Sequence, residues 1–148
     1  MNIAGTIRKL KFQHTVFLVL LVLAITGALV YTASAVITEN EDLERTGSAV
    51  AVILSVACLL IGFNFFKRKM MEARNIELPE MRMRKYFAAC MIWWSLIYLP
   101  GIVALALFVL SAYYSFVALA ILHCLILLAF MPRKNNIVLL LRLTEKDF

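Results

Sequence analysis

Cys58, Cys90, His123 and Cys124 are the residues of this chain whose types could hold a metal ion. Three thiolates and one imidazole make a legitimate tetrahedral set for zinc or another soft cation. Counted from one end of the apolar runs that carry them, all four lie at similar depth, given about 1.5 Å of rise per residue. Geometry works against the set. Three different runs would each have to turn a ligand inward, and adjacent His123 and Cys124 project about 100° apart on a helix. Buried thiols and a histidine hydrogen-bonded to a neighbouring helix are the preferred reading, so neither a metal nor a cofactor is expected. A haem between His14 and His123 fares worse, because His14 sits just outside the first apolar run and His123 several turns inside the last.

A second group is aromatic. The stretch CMIWWSLIYLPG, from Cys90 to Gly101, sets Trp93, Trp94 and Tyr98 ahead of Pro100 and Gly101. Trp and Tyr usually sit at headgroup level, yet these lie two or more turns inside a helix that starts at Tyr86. Pro100 removes one backbone donor and clashes one turn back, which predicts a kink near mid-depth. Together with His123 these residues could line a cavity for a lipid- or quinone-like ligand. A kinked packing helix with an aromatic core is the plainer alternative and the preferred one. Asn64 is a candidate for a hydrogen bond to another helix.

Small residues form a third pattern. Ala51, Ser55, Cys58 and Gly62 recur at helical spacing on one face, and Ala24, Ala28 and Ala35 do something similar in the first run. In lipid such stripes let backbones approach closely, so they read as packing seams that either close the monomer or join two copies.

The elements that must position these residues follow from composition. The chain has 148 residues, 64% of them apolar and 16% charged, against roughly 45–50% and about 25% in soluble domains. The apolar residues gather into four runs, 16–37, 48–66, 86–110 and 113–131. About 20 residues of helix cross a bilayer core of about 30 Å, with roughly 17 to 25 accepted, and backbone groups in lipid must pair internally. The expected fold is therefore an all-α membrane protein, a single integral domain over 1–148. Four transmembrane helices run up-down-up-down, and a short interfacial segment follows. The run ending Tyr31-Thr32-Ala33-Ser34-Ala35 resembles a cleavable signal, but signal cores are about 7–15 residues, so an uncleaved first span is expected.

Charge orients the bundle. Every basic residue except Arg45 falls before the first run, in the loop 67–85 or after the last run, whereas the first loop carries Glu39, Glu41, Asp42 and Glu44. Basic loops stay cytoplasmic, which places both termini inside. The formal charge of +6 is thus a topological signal, and a nucleic-acid partner is not expected. Lys67, Arg68, Lys69, Arg82, Arg84 and Lys85 read as anchors to anionic lipid headgroups, worth about 1 kcal/mol each before screening. Residues up to Leu78 could continue the second helix, with Pro79 and Glu80 opening the third. The tail beyond Pro132, apolar from Ile137 to Leu143, is too short to span and should lie at the interface or against the basic loop. No Asp, Glu, Lys or Arg lies within a run, which argues against proton-coupled transport.

From about 78 to 143 the chain resembles a family of small four-span bacterial inner-membrane proteins whose activity is uncharacterised. The resemblance rests on the basic linker, Arg84-Lys85-Tyr86-Phe87 leading into the third span, a compact final hairpin, and Pro132-Arg133-Lys134 opening a Leu-rich tail. Size and span number are also similar to membrane glutathione transferases, whose polar inner-face cluster Glu72, Arg74, Asn75 and Glu77 faintly resembles; the spacing departs from that pattern and Pro79 interrupts the helix. The expectation is a non-catalytic structural or interaction subunit, partnered by membrane lipids and by copies of itself or a membrane complex. Binding or transport of an apolar ligand is the first alternative, and a membrane-bound enzyme the second.

Overall fold

A computed structural model describes residues 3–35 and 41–143. Its five helices are α1 (Ile3–Ser34), α2 (Glu41–Arg74), α3 (Pro79–Ser111), α4 (Tyr114–Ala129) and α5 (Lys134–Leu141), and there is no strand among the described residues. Among the described residues three helices are long and apolar enough to cross a membrane. A fourth qualifies only if α4 and α5, bent by 70° at the Phe130–Arg133 break, count as one span.

Each of the first three helices outruns its apolar run. At about 1.5 Å per residue, helices of 32, 34 and 33 residues exceed a bilayer core of about 30 Å by several turns. The excess carries the charges: Arg8, Lys9 and Lys11 at the start of α1, Lys67 to Arg74 at the end of α2, and Arg82 to Lys85 at the start of α3. α4 behaves differently. Its 16 residues rise only about 24 Å, and the expected run 113–131 loses its last two residues to the turn that begins at Phe130. α2 stops at Arg74 rather than Leu78, while Pro79 is the first residue of α3, where its missing N–H costs nothing. α3 continues through Pro100 as one helix. Asp42 and Glu44 lie in the first turn of α2, a favourable place for negative charge; Glu39 falls outside the described residues.

α3 is the hub. α1, α2 and α4 all pack along it, whereas α1 and α2, consecutive in the chain, flank it without substantial packing on each other. Contacts place the helices in alternating directions. At one end Gly47 of α2 faces Leu107 of α3 and Phe116 of α4; at mid-depth Ser55 meets His123 and Gly101 meets Leu21 and His123; toward the charged end Gly62 meets Trp93.

α2 packs through small residues while large apolar side chains also cover the outside of the bundle. Large side chains such as Leu23, Ile53, Leu60, Ile61 and Leu125 point outward, while Ala51, Ser55, Cys58 and Gly62 are buried. In hydrocarbon, burial of Leu gains little over lipid and close backbone approach gains contacts. Polar side chains on the outside satisfy themselves. Thr15, Thr26, Asn64 and Ser95 each donate to the carbonyl four residues back, as does the buried Ser111, a common solution for such residues in lipid. Asn64 thus bonds Leu60 of its own helix rather than a neighbouring one.

Candidate functional site

Neighbouring positions on α3 point Trp93 and Trp94 to different partners. Trp93 turns toward α2, with Phe63 and Phe66 at 6.3 and 6.4 Å between ring centroids, and reaches Phe130 edge-on at 5.3 Å. Trp94 turns toward α1, edge-on to His14 at 5.0 Å and tilted against Phe17 at 6.4 Å. Gly62 makes the first arrangement feasible. A Cβ there would stand 2.5 Å from Trp93 Cε3, so only glycine leaves room for the indole.

Between these rings and the end of α4 lies a cavity of about 340 Å³. α2 contributes Phe66, and α3 contributes Tyr86, Cys90, Trp93 and Trp94. The turn from Ala129 to Arg133 closes one side, with Asn136 and Leu140 of α5 across from it. Trp93 is 3% exposed, and its indole N–H has no acceptor among the described residues. A buried donor without a partner is costly, and this one belongs to a residue that lines the cavity.

His14, which sequence reasoning considered only as a haem ligand, fixes the closing turn. Its Nε2 lies 2.8 Å from the Leu127 carbonyl. A carbonyl only accepts, so Nε2 carries the proton. The bond occupies one of the carbonyls left over at the end of α4, where Phe130 N–H also donates to Leu127. No local sequence signal marks a carbonyl acceptor 113 residues away.

Two arginines fix the opposite wall. Arg74 Nε donates to Leu140 O at 2.7 Å, and Arg82 Nη1 donates to Leu141 O at 3.2 Å and Arg142 O at 3.3 Å. Arg82 also donates to Ile76 O and Glu77 O in the linker. The remaining terminal carbonyls of α5 accept from Leu143 and Arg142 N–H, with Arg142 in the left-handed region at φ 51°. The cationic ends match the negative pole of the helix. Arg82 therefore braces the tail, which packs against the linker with Ile137, Leu141 and Leu143 buried.

Glu72 gathers much of the nearby positive charge: Lys69 at 2.8 Å, Arg68 at 3.4 Å and Lys85 at 4.0 Å. The hydrogen bond from Lys69, aided by the fields of Lys69, Lys85 and Arg68, holds the Glu72 carboxyl below its ordinary range. With Arg74 committed to a backbone carbonyl and Asn75 and Glu77 exposed, the cluster Glu72 to Glu77 forms a brace. Lys67 and Arg84 are exposed, and Arg84 shares a small basic niche with Thr6, Lys9 and Phe87.

The remaining candidates lie apart from the cavity. Tyr98 meets Phe17 edge-on at 5.5 Å. Pro100 is buried beside Gly101. His123 Nε2 pairs with Ser55 Oγ at 3.0 Å and links α4 to the small-residue face of α2. Of Trp93, Trp94, Tyr98, Pro100 and His123, only the two tryptophans line the cavity. Among the described residues no three His, Cys, Asp or Glu side chains gather closely enough to hold a metal ion; Cys90 faces the cavity while His123 bonds Ser55. Ala24 and Ala28 line a shallow apolar groove with Gly27 of α1 and Ile102, Leu105 and Ala106 of α3.

Comparison with protein-family models, curated proteins and solved structures finds no match.

Proposed function

We propose that this chain is a non-catalytic membrane protein that holds a lipid- or quinone-like ligand in the aromatic cavity beside Trp93. The observation that carries this reading is the cavity itself. Its volume lies within the roughly 300–1,000 Å³ usual for ligand sites; aromatic walls come from α2, α3 and the α4–α5 turn; and one buried N–H is left unpaired.

In this reading the protein crosses a bacterial inner membrane four times, as the resemblance around Arg84–Phe87 and Pro132–Lys134 implies, with both termini cytoplasmic. α4 crosses alone. α5 lies at the inner interface, because Arg74 and Arg82 tie it to the charged linker. The basic residues flanking Glu72 then stand at the anionic headgroups, the setting in which Lys and Arg are favoured.

Purification in mild detergent, solvent extraction and mass spectrometry test the function. One apolar compound should be retained at near-equimolar amount and be lost from Trp93→Leu and Phe130→Ala variants that still assemble. Retention of only the bulk lipid mixture by every form would sink the reading.

A second reading, self-association, is favoured by the α1–α3 groove. A Cβ at Gly27 would meet nothing within 4 Å, and small residues on an open helix face suit a second copy of this chain in lipid. Crosslinking in native membranes should yield dimers that Gly27→Leu abolishes. Monomers alone, or crosslinks only to other proteins, count against it.

A further inference from the structure

The aromatic cavity continues into a polar one. A second concavity of about 390 Å³ shares Met131, Pro132, Arg133 and Asn136 with it and adds Lys11 of α1 and Lys134 and Asn135 at the start of α5. Among the described residues no carboxylate lines either space. Three cationic residues therefore surround the beginning of α5, and the Arg133 side chain makes no capping bond there. First-turn amides point out of a helix and carry partial positive charge, which favours phosphate.

Each half alone is incomplete. The polar half has cations and helix amides but sits against aromatic rings; the aromatic half has a buried indole N–H without an acceptor. A molecule with an anionic head and a hydrocarbon tail satisfies both. We propose that the two concavities form one site for a phospholipid whose head is net anionic, with its phosphate among Lys11, Arg133 and the first amides of α5 and its chain among Phe66, Trp93 and Phe130. This assignment rests on the ligand-binding reading above and adds the class of ligand.

The chain has two tryptophans, both in the cavity wall, so its own fluorescence reports on the site. In a Trp94→Phe background, Trp93 emission is followed in phosphatidylcholine vesicles doped with phosphatidylglycerol or with phosphatidylcholine carrying dibrominated chains. A Leu60→Trp reporter on the outer face of α2, in a chain without the native tryptophans, sets the level of quenching by bulk lipid. Half-quenching of Trp93 is expected at a mole fraction about ten-fold lower for the anionic lipid. Lys11→Ala with Arg133→Ala should remove that preference. Should the double variant fail to assemble, Arg133→Gln alone, at an exposed side chain, should reduce it about five-fold. Equal quenching by both lipids above the bulk level overturns the anionic-head assignment and leaves the ligand cavity standing. Quenching at the bulk level for both overturns the cavity reading as well. Loss of the anionic preference on adding millimolar inorganic phosphate makes the polar half a site for the free ion and overturns the lipid assignment.

Discussion

The six-membered ring of Trp93 occupies the space where any side chain at Gly62 would begin, 2.5 and 2.6 Å from a Cβ at that position to Cε3 and Cζ3. An indole boxed in by Phe63, Phe66 and Phe130 has no easy retreat. Gly62→Ala should therefore destabilise the bundle by about 1–3 kcal/mol, the usual cost of overpacking, and change Trp93 emission. Denaturant unfolding in detergent micelles, monitored by fluorescence, measures both. An unchanged midpoint with unchanged emission would contradict this contact.

Removing the His14 bond should cost less. His14→Phe keeps a ring against Trp94 but loses the donor to Leu127 O. That carbonyl retains Phe130 N–H, so the loss should be about 0.5–1.5 kcal/mol. Amide hydrogen exchange should rise in the turn from Phe130 to Arg133 and stay unchanged near Gly47 at the other end.

Arg82 should control the attachment of α5. Arg82→Ala frees the Leu141 and Arg142 carbonyls together with those of Ile76 and Glu77, and should loosen α5 by about 1–2 kcal/mol, reduced by partial solvent exposure. Arg82→Lys keeps the charge without the planar fork and should recover only part of the loss. Limited proteolysis between Met131 and Arg142 reads the outcome; equal resistance in all three forms would refute the brace.

Acidification should act at Glu72. Its carboxyl titrates below its ordinary value because Lys69 hydrogen-bonds the charged form. A group with a depressed folded value stabilises above its unfolded value, near 4.5, and that contribution fades as pH falls through the lower folded value. The linker should loosen over that acid window, and Glu72→Gln should abolish the dependence. Side-chain NMR of labelled glutamate follows the titration directly.

Topology has its own test. In a chain with Cys58, Cys90 and Cys124 replaced by Ala, an impermeant maleimide should modify Asp42→Cys in intact cells. Asn135→Cys should react only after permeabilisation. The reverse pattern would invert the proposed orientation.

The helices could be read from the sequence because four apolar runs in lipid have few options for their backbone groups. Their lengths could be read only in part: the continuation of α2 past the apolar run and the start of α3 at Pro79 were expected, but α2 stops at Arg74 rather than Leu78, and the extension of α1 back to Ile3 carries no apolar signal. The spacing of Ala51, Ser55, Cys58 and Gly62 announced a face of small residues, but not that Trp93 rests on Gly62 or that Ser55 bonds His123. Residue types pointed to Trp93 and Trp94, whereas the rest of the cavity wall came from ordinary residues at a helix break, Ala129 to Arg133. The links that hold that break, His14 to Leu127 and Arg82 to Leu141, end on backbone carbonyls, which every residue possesses and no sequence pattern marks.

The placement of α3 between α1 and α2 bears on how the chain is assembled during synthesis. The first two helices leave the ribosome before the helix that separates them exists, and they have no broad surface with which to hold each other. A nascent product ending near Arg74 should therefore persist as two loosely tethered rods, open to capture by insertion factors or proteases. Only the arrival of the Pro79–Ser111 helix would convert them into a cooperative unit.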